Sequence, residues 1–132
     1  MKMLTDVHTP SLEQLALARF IGDGRLDRHV ARMKRLYAGR RRALLEALAR
    51  FFPGEHEVEG AAAGLHLVAG FPGREFGEVT AAGIAAHGVR VYPVERYAIQ
   101  KGRHRHRLLL GYGHLCPEEI GEGIQRLKRG LG

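Results

Sequence analysis

Apolar residues recur along this chain with two different periods, and the switches between them mark the elements. Leu12, Leu15, Ala16 and Phe20 fall at helical spacing. Thr9 reads as the N-cap of that helix and Pro10 as its first residue, a position where a missing N–H costs nothing. Residues 1–8 carry no pattern and read as an unstructured lead-in. Gly22 and Gly24, either side of Asp23, stop the helix and allow a sharp turn. A long second helix runs from Arg25 to Phe51 or Phe52. Leu26, Val30, Met33, Tyr37, Leu44, Leu48 and Phe51 form its stripe, and Arg28, Arg32, Arg35 and Arg42 lie opposite. Phe52-Pro53-Gly54 ends it.

The period then drops to two. His56–Glu59 reads as a short edge strand, followed by the small, flexible stretch Ala61-Ala62-Ala63-Gly64. Leu65, Leu67, Ala69 and Phe71 alternate as a strand that Pro72-Gly73 breaks. Glu75–Ala86 is expected to be a helix with Phe76, Val79 and Gly83 inward, closed by Gly88. Val89–Tyr92 is expected to be a β-branched strand ended by Pro93, and the basic tract 101–107 a surface loop. Leu108–Tyr112 reads as a buried strand. Its parity puts Leu108, Leu110 and Tyr112 on the core face and Arg107, Leu109 and Gly111 on the other. Pro117 then opens a final helix, with Glu118 and Glu119 at the positive end of its dipole. Ile120, Ile124, Leu127 and Leu131 form its stripe. The order predicts an α+β fold: a small, mainly antiparallel sheet with helices on one side. Residues 9–132 are expected to form one domain.

Composition narrows the function. The chain has 132 residues, of which 45% are hydrophobic, enough for one core. No apolar run approaches the roughly 20 residues that span a bilayer, so no membrane partner is expected. The N-terminus is too polar for a signal peptide, which makes the cytoplasm the default location. The single Cys116 excludes an intrachain disulfide. The net charge of +7 is uneven: residues 1–52 hold 11 of the 21 Lys and Arg but only 5 of the 14 Asp and Glu. A basic half can attract nucleic acid, and Tyr92, Tyr97 and Tyr112 near the basic tract could stack on bases. A solvated Arg-rich helix face explains the same charge more simply.

The common catalytic signatures do not occur. There is no GxGxxG or phosphate-binding loop, and the one serine, Ser11, stands beside a helix cap. His104 and His106 are two apart with no third ligand at matching spacing, which supports adventitious metal binding at most. Cys116 and His114 have no orienting partner, so capping is the simpler role for Cys116.

Four blocks carry a family resemblance: SLEQLALARFIGDGRLDRHVARMKRLYAGRRRALLEAL, GLHLVAGFP, GVRVYPVERY and LLLGYGHLCPEEIGEGIQRL. In this order they resemble the C-terminal part of MocR-type regulators of the GntR family, over about residues 9–131. The same segment resembles, more weakly, the small domain of class I/II aminotransferases. The resemblance implies a winged-helix DNA reader joined to a fold-type I aminotransferase domain that holds pyridoxal phosphate. It implies a large domain carrying the cofactor lysine in a motif such as SKxLxPxLR. Lys2, Lys34, Lys101 and Lys128 are the lysines of this chain, and none stands in such a setting. Alone, the chain is therefore expected to bind no cofactor and to be inactive. Its implied partners are the large domain, joined or separately encoded, and further copies of itself, with DNA reached only through a winged helix. In such folds an Arg on the penultimate strand grips the substrate carboxylate. Leu109 stands where the resemblance would put it, and Arg107, two residues earlier, is the nearest substitute. Arg96 and Tyr97 match the loop that faces the cleft. The implied role is closure over an amine or amino-acid effector. The alternatives are the small domain of a working aminotransferase and a basic nucleic-acid-binding module.

Overall fold

The computed structural model describes residues 10–60 and 64–132. The lead-in, the Thr9 cap and the Ala61–Ala63 stretch lie outside the described residues. The chain divides into two compact units, residues 1–36 and 37–132.

In the first unit, α1 (Ser11–Gly22) follows Pro10, which occupies the N-cap position and not the first turn. Gly24, at φ +65°, turns the chain into α2 (Arg25–Phe51), and Arg28 Nη2 donates to the Asp23 carbonyl at 3.1 Å. Only residues 25–36 of α2 belong to this unit. No residue of α1 is buried: Leu12, Leu15, Leu17 and Ile21 are all exposed.

The second unit holds the rest of α2, then β1 (Glu57–Glu59), β2 (His66–Gly70), α3 (Glu78–Ala86), β3 (Tyr92–Pro93), a 3-10 turn (Val94–Tyr97), β4 (Arg107–Gly111) and α4 (Pro117–Gly130). The four strands form one antiparallel sheet in the order β1-β2-β4-β3. The α+β architecture expected from the sequence is the one observed. Leu67 opposes Leu110 and Ala69 opposes Leu108, so all four project to the same face. There they meet Leu44, Leu48 and Phe52 from the end of α2, Ile84 of α3, and Ile120, Ile124 and Leu127 of α4. Phe71 sits edge-on to both Phe52 and Phe76, with centroids 5.0 and 5.6 Å away. Glu55 accepts from Lys128 at 2.8 Å and from Arg74 at 3.1 Å, tying the segment after α2 to the last turns of α4.

The α4 start is as read from the sequence. Pro117 opens the helix, and the Cys116 backbone N–H donates to Glu119 Oε2 at 2.7 Å.

Two expectations are corrected. The third helix begins at Glu78, not Glu75, because the Phe76 N–H is bonded to the Arg105 carbonyl at 2.8 Å and holds the chain extended there. Phe76 is buried ahead of the helix, and Ile84 is the helix's own core residue. Val79 and Gly83 lie about 140° and 100° from Ile84 around the axis, and both face solvent. The strand expected at Val89–Tyr92 is a two-residue edge strand, Tyr92–Pro93. Pro93 lies inside it and not after it, which an edge position tolerates because proline has no N–H to contribute.

Candidate functional site

A cleft of about 1090 Å³ opens where β3 stops short of β4. Tyr92 opposes Leu109 and Pro93 opposes Leu108, but the ladder goes no further, so no β3 residue lies across from Gly111. The chain entering β3 runs outside the ladder, and Gly88, Val89 and Arg90 form one side of the cleft. Leu109, Gly111 and Tyr92 line it from the sheet and Tyr97 from the 3-10 turn. Glu119, Glu122, Gly123 and Arg126 line it from α4. The parity of β4 read from the sequence holds: Leu108, Leu110 and Tyr112 are buried, and Leu109 and Gly111 face the cleft.

The β4–α4 connection is held from two directions. The buried Tyr112 donates its hydroxyl to the Gly64 carbonyl at 2.8 Å and its N–H to the Leu65 carbonyl at 3.0 Å. Arg40 of α2 donates to the Gly113 carbonyl. The 3-10 turn is fastened through Glu95, whose carboxylate accepts the backbone N–H groups of Gly102 and His104. The Gly102 bond is the main cause of a lowered Glu95 pKa, aided by that of His104. Lys101 Nζ donates to the carbonyls of Glu95 and Arg96. The basic tract is thus a folded loop that fixes the position of Tyr97.

The three site residues proposed from sequence are distributed unevenly. Tyr97 lines the cleft and is exposed. Arg96, in the same turn, is exposed but does not line it. Arg107 lies on the open sheet face two residues from Leu109. Its Nη2 is 2.6 Å from Glu59 Oε1, and its Nη1 donates to His104 Nδ1 at 2.8 Å. Sequence reasoning missed Tyr92, Arg90, His66, Glu122 and Arg126 as wall residues. The register of Tyr92 against Leu109 would have revealed the first, but a two-residue strand leaves no period to read.

Cys116 is the chain's one cysteine, free and partly exposed at the start of α4. The Glu119 N–H lowers its pKa, but the Glu118 carboxylate, burial and the Glu119 carboxylate together raise it above the ordinary thiol value. Among the described residues no three His, Cys, Asp or Glu side chains gather as a metal site. Among them also, no helix is long and apolar enough to cross a membrane.

The described lysines do not fit a pyridoxal-phosphate site. None lines the cleft. Lys101 is bonded to backbone carbonyls, and Lys128 is paired with Glu55 over the Phe52 ring.

The fold is that of an aminotransferase-like domain, as superposition on solved aminotransferases shows. LysN, the alpha-aminoadipate aminotransferase of Thermus thermophilus, solved with N-(5'-phosphopyridoxyl)-L-leucine, superposes with a TM-score of 0.81. It is 28% identical over 98% of this chain and 33% of its own. No family model matches the chain. Among curated proteins, the uncharacterized HTH-type transcriptional regulator YhdI of Bacillus subtilis is 38% identical over 97% of this chain and 26% of its own length. The probable rhizopine catabolism regulatory protein MocR of Rhizobium meliloti is 33% identical over 92% of the chain and 24% of its length. The chain is a homologue of MocR-type regulators of the GntR family and of fold-type I aminotransferases. It spans about a quarter of the length of these curated regulators.

Proposed function

We propose that this chain, residues 9–132 in particular, is the small lobe of an aminotransferase-like cytoplasmic regulator. It closes over an amine or amino-acid effector beside pyridoxal phosphate held by the rest of that architecture. The observation that carries the reading is the division of β4, whose outward residues Leu109 and Gly111 form a cleft wall with Tyr92 and Tyr97. Tyr97 contacts the effector from the cleft wall, and Arg96, in the same turn, and Arg107, on the same sheet face as Leu109, are its two further effector-binding candidates. A ligand that touches both lobes favours the closed state by its extra contacts, and a winged helix elsewhere in the protein reads out that closure on DNA. The exposed apolar side chains of α1 are covered by a second copy of the chain.

The test is a titration of the isotope-labelled chain with N-(5'-phosphopyridoxyl)-L-leucine, followed by NMR. Shifts concentrated at Tyr92, Tyr97, Leu109 and Gly111 are expected. Shifts confined to other surfaces, or none at millimolar ligand, would reject the reading. The structural likeness to LysN favours a second reading, the small domain of a working aminotransferase. Coding sequence for a winged helix upstream in the gene would decide for the regulator.

A further inference from the structure

On the open face of the sheet, His66 of β2 stands directly across from Gly111 of β4. Gly111 has no side chain, and the His66 ring leans toward it: a Cβ at Gly111 would meet His66 Cδ2 at 3.4 Å and Nε2 at 3.6 Å. On the other side of Gly111 the β3 ladder has stopped. Arg90 comes two residues before Tyr92, and Val91 between them is buried. By that alternation Arg90 shares the open side with Tyr92. The Tyr92–Leu109 register, carried on by two residues, brings Arg90 level with Gly111. His66, Gly111 and Arg90 all line the cleft. The result is a notch floored by bare backbone, with an imidazole on one side and a guanidinium on the other.

The charges around this notch are unequally engaged. Arg126 Nη2 is 2.5 Å from Glu122 Oε1, and Glu119 Oε2 accepts the Cys116 backbone N–H at 2.7 Å. Both carboxylates of the lining therefore already have partners. Arg107 lies two rows away on the sheet, with Glu59 and His104 as its own partners. Arg90 and His66, by contrast, have no hydrogen-bond or ion-pair partner among the described residues. A guanidinium presents paired N–H donors that match the two oxygens of a carboxylate. Leu109, Tyr92 and Tyr97 line the same cleft, and their apolar surfaces strengthen such a pair by displacing water around it.

We propose that the notch over Gly111 is the carboxylate-binding point of this lobe, with Arg90 as the cation that grips the ligand and His66 as the opposite wall. The ligand class is thereby narrowed to α-amino acids in preference to the corresponding amines. The proposal rests on the cleft being the effector site, as proposed above.

N-(5'-phosphopyridoxyl)-L-leucine and N-(5'-phosphopyridoxyl)-3-methylbutylamine differ by the one carboxylate in question. Both can be titrated by NMR into the full chain, unsubstituted and as Arg90→Gln or Gly111→Ala. In the unsubstituted chain the leucine conjugate is expected to bind about fivefold tighter or more, the effect of one ion pair at an exposed site. Arg90→Gln is expected to abolish that preference and to leave the amine conjugate's affinity unchanged. Gly111→Ala adds a methyl that makes only ordinary contact with His66, and is expected to reduce the preference by filling the notch. If both conjugates bind the cleft equally well, or the preference survives either substitution, the proposal is overturned while the cleft remains the site. If Arg90→Gln weakens both conjugates alike, Arg90 serves the phosphate they share, and the proposal is again overturned. If neither conjugate shifts the cleft resonances, the cleft reading and this proposal fall together. Arg90 is exposed, so Arg90→Gln is expected to fold, and it decides the matter even if Gly111→Ala does not.

Discussion

Leu108, Leu110 and Tyr112 pack beneath the helices, while Arg107, Leu109 and Gly111, one residue out of step, stand on the opposite face of the same strand. On the inner face the partners are hydrocarbon: Leu67 and Ala69 alongside, and Ile84, Ile120, Ile124 and Leu127 in the same core. On the outer face the contacts are an ion pair, a histidine and an open cleft. The inner set has side chains of large apolar volume, which gain free energy by leaving water. The outer set has a charge, a half-buried leucine and a residue without a side chain. The core and the cleft wall are thereby built from alternate residues, so one can be altered with little effect on the other.

The sharpest way to break this division is truncation on the inner face. Leu108 is fully buried, and Leu108→Ala is expected to cost about 2–5 kcal/mol, with Leu110→Ala toward the lower end because Leu110 keeps slight exposure. Urea unfolding measures both, and a loss below 1 kcal/mol for Leu108→Ala would show that the helices do not close on this face. Tyr112→Phe comes next. It removes the bond to the Gly64 carbonyl and leaves the ring in place, so a loss of about 1 kcal/mol is expected. Thermal unfolding with no change in midpoint would show that this bond contributes nothing.

How far the sequence revealed this division depends on the range of the interactions involved. The faces of β4, the extent of α2 and the start of α4 follow from local periodicity and from Pro117 with its capping glutamate, so they could be read directly. The start of α3 could not, because it is set by a bond from Phe76 to the Arg105 carbonyl, far along the chain. Nor could the state of Arg107. Its neighbour His104 is close in sequence, but Glu59 reaches it only because β1, β2 and β4 stand side by side. The tie from Arg40 to Gly113 is likewise invisible to any periodic pattern. Tyr97 was legible as a cleft residue through the family resemblance, whereas Tyr92 depended on the register of a two-residue strand.

A smaller effect is expected at the ion pairs beside the inner face. Lys128 first, and then Arg74, hold the Glu55 carboxyl below the usual carboxylate range. A carboxyl with a lowered folded pKa stabilises the fold above its unfolded value, about 4.3, and that contribution is lost as pH falls through the folded value. Glu55→Gln should therefore lower the urea midpoint at pH 7, and the gap from the unsubstituted chain should close as the solution is acidified below about pH 4. These groups are partly exposed and screened, so the effect should be smaller than that of Tyr112→Phe. A gap that stays constant with pH would remove the ion pairs from the account.

The smallest effect on stability is expected from Leu109→Arg, although it introduces the largest chemical change of the series. Leu109 is half-buried on the cleft side, so a longer side chain there can lay its methylene stem along the wall and keep its guanidinium in water. Tyr92 lies directly opposite on β3, and its ring offers the stem an apolar surface. Substitutions at sites of this kind usually change stability by about 0.5 kcal/mol or less. The same change at Leu110 would place a charge among Leu67, Leu108 and Ile124 with no partner, which is the costly case. Measuring Leu109→Arg and Leu110→Arg side by side in urea tests the facing of β4 without reference to any ligand. A stable Leu109→Arg and an unfolded Leu110→Arg are expected. The opposite result would put the leucine at 109 in the core, and the cleft wall would then have to be drawn from other residues.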